Sequence, residues 1–433
     1  MGRRAILGAA LFGTGAMLLS PATAQAQQDR VSATEKGSLC IFSKVEIRWS
    51  EVPNMAGQFE LYQDTFISLT NDFTEDVLVQ MYYINGDAPT EQVNDANGNC
   101  IERAHPGWNA VDNGFALTMN EPTYWSAMTG QPKGVVPFSV LDPAGCGGPG
   151  RPSNDGTGDR VLRGYLIAWA VNSENEQIRW NHLKGEGTIV NYDKGFAWEY
   201  NSWNHAVVDL GVNNGDPIGT AGVLKMDGNE YSPSFDELIL NFQAAGSAAW
   251  STAPGVMPAH TVVTDTDLTL HPTAADLRQT NDGPVTTKAS ILIWNENETK
   301  FSGTHRCITC WDQTLISQYA DPPNSFSRMF LQTDHGKARV DGHAAPDQCD
   351  GDGVTSIEAP LLGVYARWLA IDGTVPDGVN AAAGGNLIGL GTDDTAEIKY
   401  DPSGAPPELN DPNQAIDLLN EVIKNSGKSF GRN

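Results

Sequence analysis

Three acidic residues near residue 350 have the spacing of a cation site. Asp350 and Asp352 are separated by one glycine, a second glycine follows, and Glu358 comes slightly later. Carboxylates at alternate positions can converge on one hard cation such as Ca²⁺, and glycine allows the sharp bend that convergence requires. The competing interpretation is an acidic turn in which Thr355 and Glu358 cap a helix. Calcium is the one cofactor that the sequence suggests, with Asp350, Asp352 and Glu358 as ligands.

Cys307 and Cys310 have the spacing of a redox motif, and His305 lies just before them. A redox pair normally opens a helix that follows a strand, because the helix N-terminus lowers the pKa of the thiol. No alternating strand and helix pattern surrounds these cysteines. Structural disulfides are therefore favoured, either between the two or outward to Cys349 and Cys146. A zinc site with His305 would lack the second cysteine pair that usually completes it.

The sequence Trp-Asn-His occurs twice, at Trp180–His182 and at Trp203–His205, with Trp198 between the copies. An exposed indole ring can stack on a sugar, and neighbouring amides can bind its hydroxyl groups. This interpretation makes Trp180, Trp198 and Trp203 ligand-binding residues. A second one has His182 and His205 share a metal ion. The third is core packing, in which each indole is buried and its N–H group is hydrogen-bonded.

The local signatures of common enzyme classes are missing from the chain. It contains no G-x-S-x-G, no H-E-x-x-H, no phosphate loop and no c-type haem motif. We therefore expect a non-catalytic structural, surface or binding protein rather than an enzyme. The alternative is a secreted carbohydrate-active or metal-dependent enzyme whose site is assembled from distant loops. A concave pocket that gathers His105, His182, His205 or several carboxylates would favour that alternative.

The first 26 residues have the pattern of a secretory signal peptide. Arg3 and Arg4 precede an apolar stretch, and small residues follow up to Ala26. We expect cleavage after Ala26 or Ala24 and a secreted or periplasmic product. Export by the Sec route or by the twin-arginine route is left open. No later segment is long and apolar enough to span a bilayer.

The charge balance restricts the partners. The formal net charge is −26, and no basic run occurs. A phosphate backbone must be neutralised by lysine and arginine, so nucleic acid is not an expected partner. A polysaccharide or another extracellular protein fits this surface better.

The cysteine count is even, which predicts disulfides in an oxidising compartment. Six cysteines allow many pairings, and we expect Cys40 to pair with Cys100 because their segments flank one hydrophobic block. The six are Cys40, Cys100, Cys146, Cys307, Cys310 and Cys349.

The elements that must position these residues are mostly strands. Apolar and polar residues alternate with period two in many segments, and Val45–Trp49 is an example. A chain of 433 residues is too long for one ordinary core. We predict a mainly β fold with two β-sandwich-like domains and a small helical C-terminal part. Residues 1–26 are the signal peptide, residues 27–245 the first domain, and residues 246–433 the second β-rich domain.

Two helices are predicted late in the chain. The first extends from Thr355 to Leu369, where a capping-box spacing precedes apolar residues on one face. The second starts at Asp411 and stops near Gly427. Residues 372–410 receive no assignment.

One pattern occurs three times: a strand, an asparagine with acidic neighbours, and a second strand. The copies are Leu69–Glu75, Ala170–Glu176 and Ile293–Thr299, and we expect the asparagine to close each turn. The first copy, continuing into Val77–Ile84, resembles the strand corners of bacterial immunoglobulin-like β-sandwich domains. That resemblance implies a fold only, since sandwiches host many unrelated functions. The mature chain as a whole resembles exported bacterial proteins of unassigned function, which implies no catalytic residue.

Overall fold

A computed structural model describes residues 30–87, 110–131, 150–153, 158–209, 211–250, 253, 255, 257, 260–278, 286–319, 325–344, 349 and 357–403. Several predictions fall outside the described residues. They are the signal peptide at residues 1–26, the helix after Asp411, and the side chains of Cys100, His105, Cys146, Asp350 and Asp352.

The described residues are mostly in β-strands, and the first ten belong to one sheet. These strands are β1 (Leu39–Glu51), β2 (Phe59–Asn71), β3 (Val77–Asn85), β4 (Ala110–Leu117), β5 (Pro122–Ser126), β6 (Arg151–Pro152), β7 (Arg160–Val171), β8 (Leu183–Asn191), β9 (Phe196–Asn201) and β10 (Trp203–His205). Seven of them follow the order β4-β3-β7-β1-β2-β8-β9, while β10 pairs with β1, β5 with β2 and β6 with β7.

Thirteen further strands form three smaller sheets in the described part of the chain. They are β11 (Val223–Met226), β12 (Glu237–Gln243), β13 (Gly246–Trp250), β14 (His260–Pro272), β15 (Ala275–Asp276), β16 (Thr287–Asn295), β17 (Lys300–Ile308), β18 (Asp312–Leu315), β19 (His335–Ala344), β20 (Leu361–Ile371), β21 (Ala381–Asn386), β22 (Ile388–Leu390) and β23 (Ala396–Lys399). The sheet orders are β17-β16-β19-β12-β22, β13-β14-β20-β21 with β18 beside β14, and β11-β23-β15. Only β15 and β23 pair in parallel among these described strands. The mainly β fold class is therefore confirmed.

Helical structure is scarce in the described ranges. A 3₁₀ helix covers Ile316–Gln318, and one short α-helix, α1, covers Arg328–Leu331. The Ser327 side chain accepts a hydrogen bond from the backbone N–H of Phe330 and so caps α1. No helix among the described residues has the length and apolar character needed to cross a membrane.

The first predicted helix is wrong from Leu361 onward, because that segment is strand β20 between β14 and β21. Its two faces reach two core clusters, with Val364 and Ala366 in one and Leu361 in the other, where Tyr365 also packs. A strand that is buried on both faces carries an apolar run without the alternation of an exposed strand. Such a run cannot be told from a buried helix by periodicity alone.

The three asparagine corners are confirmed. The side-chain oxygens of Asn71, Asn172 and Asn295 each accept a hydrogen bond from the backbone N–H two residues later. Asn172 and Asn295 also accept from the N–H four residues later. An asparagine side chain that replaces a backbone acceptor in this way closes a tight turn. The corner at Asn295 joins the antiparallel pair β16 and β17, whereas the corner at Asn71 joins β2 and β3, which pair with other strands.

The boundary between residues 245 and 246 stays a prediction. Strands β11 and β12 precede it, and they pair with β23 and with β19 and β22, which follow it. One buried cluster also contains residues from both sides, such as Trp169 and Tyr400.

Candidate binding cavity

The main concave site, called the central cavity below, has a volume of about 460 Å³. Strands β1, β2, β8 and β9 of the ten-stranded sheet form one wall, and β20 with the segment after it forms the other. Aromatic rings from Tyr62, Phe196, Trp198 and Trp368 line it. Polar and charged side chains share the lining: Lys44, Glu46, Arg48, Ser50, Gln63, Asp159, Asn191, Asp193, Lys194 and Asp377.

A β-bulge in β1 turns three charged residues toward this cavity. The register with β7 shifts between Phe42 and Val45. In a regular strand these two residues would face opposite sides, yet both pack into the same core cluster. Lys44 in the bulge and Glu46 and Arg48 after it therefore take the strand face opposite to Val45 and Ile47, and they line the cavity.

The charges beside the cavity are buried and paired. Lys44 Nζ lies 3.1 Å from Glu46 Oε2 and also donates to Asp267 on β14. Gln313 Nε2 donates to Glu46 Oε2 at 3.2 Å and to Asp267 Oδ2 at 3.0 Å. The side chains of Lys44, Glu46 and Asp267 are at most 3% exposed. Buried charges persist only when they are paired and hydrogen-bonded, and this group meets both conditions.

Glu46 is held as an anion. Burial by itself would raise the pKa of Glu46, but attraction from Arg48, Lys44 and Arg163 outweighs burial and keeps this pKa below the usual range. A carboxylate with such a pKa cannot supply a proton near neutral pH. Glu46 can orient a ligand through hydrogen bonds, but it is unsuited to be a general acid.

Other polar groups of the cavity are fixed by short contacts. The hydroxyl of Tyr62 donates to Asp159 Oδ2 at 2.7 Å, and Asn191 Nδ2 donates to Gln63 Oε1 at 3.3 Å. Burial raises the pKa of Tyr62, so its phenol stays protonated. These groups present hydrogen-bond donors and acceptors in set positions along the wall.

Strand β21 packs against Trp198 on the aromatic side of the cavity. Trp198 is 6% exposed, and Lys44 Nζ lies 5.5 Å from the centre of its ring. A Cβ atom at Gly384 would lie 2.0 Å from the same indole, so only glycine fits there. On β20, the indole nitrogen of Trp368 is buried and has no hydrogen-bond partner among the described residues.

The three tryptophans predicted as exposed platforms are in the core. Trp180, Trp198 and Trp203 are 3%, 6% and 2% exposed. The indole N–H of Trp180 donates to Asn71 Oδ1 at 3.0 Å, and that of Trp203 to the carbonyl oxygen of Gly363 at 3.3 Å. Packing therefore explains Trp180 and Trp203, and of the three only Trp198 reaches the central cavity.

His182 and His205 have separate surroundings, and neither belongs to a three-residue ligand cluster in the described part of the chain. His182 lies 3.1 Å from Asp72 Oδ1 and 3.0 Å from the amide nitrogen of Asn214. His205 is fully buried, with Nδ1 2.7 Å from the carbonyl oxygen of Ser232. The shared metal site of these histidines therefore finds no support in their contacts.

The cysteines follow one of the two arrangements expected for the redox-like spacing. Cys307 is bonded to Cys349, with a Cα–Cα distance of 5.7 Å. Cys310 is a free buried thiol, so the pairing of Cys307 with Cys310 is wrong. Cys40 is also free and buried, which contradicts its expected pairing with Cys100.

Of the predicted calcium ligands, only Glu358 lies within the described residues. It belongs to a cluster with Asp341 and His343, in which one ligand atom from each residue lies within 4.8 Å of the others. The sequence offered no motif for this cluster, since Glu358 is far along the chain from the other two.

For the central cavity, the sequence shows the alternation of apolar and charged residues around Glu46. This alternation is equally typical of a strand with one face in water, so it does not indicate a cavity.

Comparisons with known proteins identify no relative. No family model matches the chain, and no curated protein matches it. The structures that match include a biofilm-associated protein BSP domain, at 8% identity and a TM-score of 0.15. That match covers 82% of this chain and 59% of the domain, so the chain spans less than two thirds of that domain.

Two further matches are equally distant. Infectious bursal virus derived T=1 particles give 10% identity and a TM-score of 0.12, covering 92% of this chain and 87% of theirs. The CupB6 tip adhesin from Pseudomonas aeruginosa gives 9% identity and a TM-score of 0.09, covering 80% of this chain and 98% of the adhesin. Scores this low carry no argument about the function of this chain.

Proposed function

We propose that this is an exported, non-catalytic binding protein and that the central cavity is its ligand site. The observation that carries the proposal is the meeting of aromatic rings with fixed polar groups in one cavity of about 460 Å³. Small-molecule sites typically have this size and combine apolar walls with a few placed polar groups. The accompanying architecture that we propose is the pair of β-sandwich-like domains behind a cleaved signal peptide.

The ligand class is a neutral saccharide unit. Three basic side chains, Lys44, Arg48 and Lys194, and four acidic ones, Glu46, Asp159, Asp193 and Asp377, line the cavity. Because these charges nearly balance, a ligand with a net charge gains little. A sugar instead offers hydroxyl groups to the polar wall and an apolar face to the rings. A polysaccharide or a glycosylated extracellular protein could present such a unit.

Trp368 provides the test. Its ring lines the cavity and offers an aromatic surface on which a sugar can stack. Trp368→Phe replaces the indole by a smaller ring and so reduces this stacking surface. The control is Trp294→Phe, since Trp294 lies on β16 outside the cavity and packs beneath Lys300.

The measurement is calorimetric titration with neutral oligosaccharides, with glucuronic acid and glucosamine as charged probes. We expect neutral sugars to bind. The smaller ring loses part of the stacking contact, worth about 0.5–1.5 kcal/mol, so Trp368→Phe should weaken binding by about two- to tenfold. Trp294→Phe should bind like the wild type. The proposal fails if no neutral sugar binds the wild type, or if Trp368→Phe binds unchanged.

The second candidate is a carbohydrate-active enzyme, and the carboxylates in the cavity favour it. Glycoside hydrolysis uses two carboxyl groups, one of which must supply a proton. Glu46 is excluded as that acid, which leaves Asp159, Asp193 and Asp377. Release of reducing ends from the sugars that bind, abolished in Asp159→Asn or Asp377→Asn, would establish the enzyme and overturn the non-catalytic proposal.

A further inference from the structure

A second polar cluster lies where the chain leaves β19 and returns before β20. Asp341 and His343 are two residues apart on β19, and Glu358 forms a β-bridge with His343. Backbone hydrogen bonds flank that bridge, from Ala344 N to the carbonyl oxygen of Ile357 at 2.9 Å and from Ala359 N to that of Gly342 at 3.0 Å. The backbone therefore holds these three side chains together.

His343 lies between two carboxylates. Its Nε2 is 3.5 Å from Asp341 Oδ2, an ion-pair contact that is too long for a hydrogen bond. Its Nδ1 is 3.5 Å from Glu358 Oε2, which is too long for a hydrogen bond. Asp236 and Asp393 also act on Glu358 electrostatically.

The unpartnered atom in this cluster is Nδ1 of His343. The residue is only 7% exposed, and Nδ1 has no hydrogen-bond partner in the described part of the structure. With the ring proton on Nε2, beside Asp341, Nδ1 carries a lone pair that faces Glu358. Two acceptors that face each other at 3.5 Å repel unless a cation lies between them.

We propose that His343 Nδ1 and Glu358 bind one divalent transition-metal ion of the Zn²⁺ type, with Asp341 orienting the imidazole. Zinc bonds to histidine and carboxylate are about 2.0–2.1 Å long, which separates tetrahedral ligand atoms by about 3.4 Å. The distance between Nδ1 and Oε2 matches this separation. A carboxylate behind the second ring nitrogen is the usual arrangement at zinc-binding histidines.

The imidazole decides the class of metal. Calcium takes oxygen ligands, whereas a nitrogen ligand beside a carboxylate suits Zn²⁺ and its neighbours among the transition metals. The inference therefore differs from the calcium site expected at Asp350, Asp352 and Glu358, although it uses Glu358. Water occupies the remaining coordination positions, because only two protein atoms bind directly.

The experiment uses the full chain after treatment with a chelator and follows Zn²⁺ binding by calorimetry at neutral pH. Glu358→Gln is the main variant, because the Glu358 side chain is 42% exposed and its replacement spares the core. Asp341→Asn tests the positioning role. The matched control is Glu296→Gln. Glu296 pairs at 2.8 Å with His335, an exposed histidine at the start of β19. This pair has no third metal-binding residue among the described residues.

We expect one Zn²⁺ per chain and at least about tenfold weaker binding in both Glu358→Gln and Asp341→Asn. Glu296→Gln should bind like the wild type. Co²⁺ should bind with a visible absorption band that Glu358→Gln changes, and equimolar Ca²⁺ should displace neither ion. The proposal is overturned if Zn²⁺ does not bind. It is also overturned if Glu358→Gln binds as tightly as the control, or if Ca²⁺ displaces Zn²⁺.

Discussion

At the scale of residues, Lys44 is the centre of the buried charge cluster. It contacts Glu46 and Asp267, and all three side chains are almost inaccessible to water. The attraction within such a group roughly offsets the cost of removing the charges from water, so the intact cluster adds little net stability. Removing Lys44 is different, because Asp267 then stays buried without its cation, whereas Glu46 keeps Arg48.

We predict that Lys44→Met lowers the free energy of unfolding by about 3–5 kcal/mol, since it leaves Glu46 and Asp267 facing each other. Urea unfolding measures this difference. Lys36→Met is the control, because Lys36 pairs with Asp72 at the surface and is 47% exposed, and exposed pairs contribute at most about 1 kcal/mol. Equal losses in the two variants would contradict the buried cluster.

His205 should make stability depend on pH. Burial lowers the pKa of His205 to about 4, and its Nε2 has no acceptor for an added proton among the described residues. The unfolded chain binds a proton below about pH 6.5, whereas the folded chain does not. Stability from this group is therefore complete above pH 6.5 and is lost as the pH falls toward 4.

We predict that the stability difference between wild type and His205→Asn falls on acidification, by at most about 1.4 kcal/mol per pH unit between pH 6.5 and 4. Comparing the two proteins removes the contributions of other titrating groups. Denaturant unfolding at several pH values gives the difference. His335→Asn, at an exposed histidine, should show a smaller change, and the same slope in both variants would reject the buried role.

At the scale of elements, the contact between β9 and β21 positions the aromatic wall of the cavity. Gly384 and Gly385 are adjacent on β21 but face different surroundings. A Cβ at Gly384 would lie 2.0 Å from Trp198, whereas a Cβ at Gly385 would find Tyr365 Oη at 4.0 Å. Gly385→Ala is therefore a matched control for Gly384→Ala.

We predict that Gly384→Ala costs about 1–3 kcal/mol, because Trp198 or β21 must move. Thermal unfolding reports the cost, and tryptophan fluorescence reports movement of the indole. Gly385→Ala should melt close to the wild type. If both variants behave alike, β21 does not hold Trp198 in the way described.

Some elements could be predicted from nearby residues alone, whereas others depend on distant parts of the chain. The corners at Asn71, Asn172 and Asn295 follow from the sequence, because an asparagine closes its own turn through nearby backbone atoms. The apolar run of strand β20 predicts a helix equally well, because the strand carries apolar residues on both faces, each covered by another layer. Those layers come from distant parts of the chain.

At the scale of the whole molecule, the free thiols report on global unfolding. Burial raises the pKa of Cys40 and of Cys310 to about 12, and a thiol reacts as the thiolate. We predict that iodoacetamide labels both cysteines only after denaturation, and Cys307 and Cys349 only after reduction as well. Mass spectrometry of labelled peptides measures this. A Cys40–Cys100 bond in exported protein would contradict the free thiol.

The β class and the asparagine corners follow from the sequence, which also offered Cys349 as one of several partners for Cys307. These depend on alternation, on contacts within a few residues and on residue type. Only the tertiary structure placed Lys44, Tyr62 and Trp368 around one cavity and His343 beside Glu358. Such groupings depend on a bulge that changes which face a side chain takes and on pairing between distant strands. Neither leaves a local signal, because the partners are brought together only when the sheets pack.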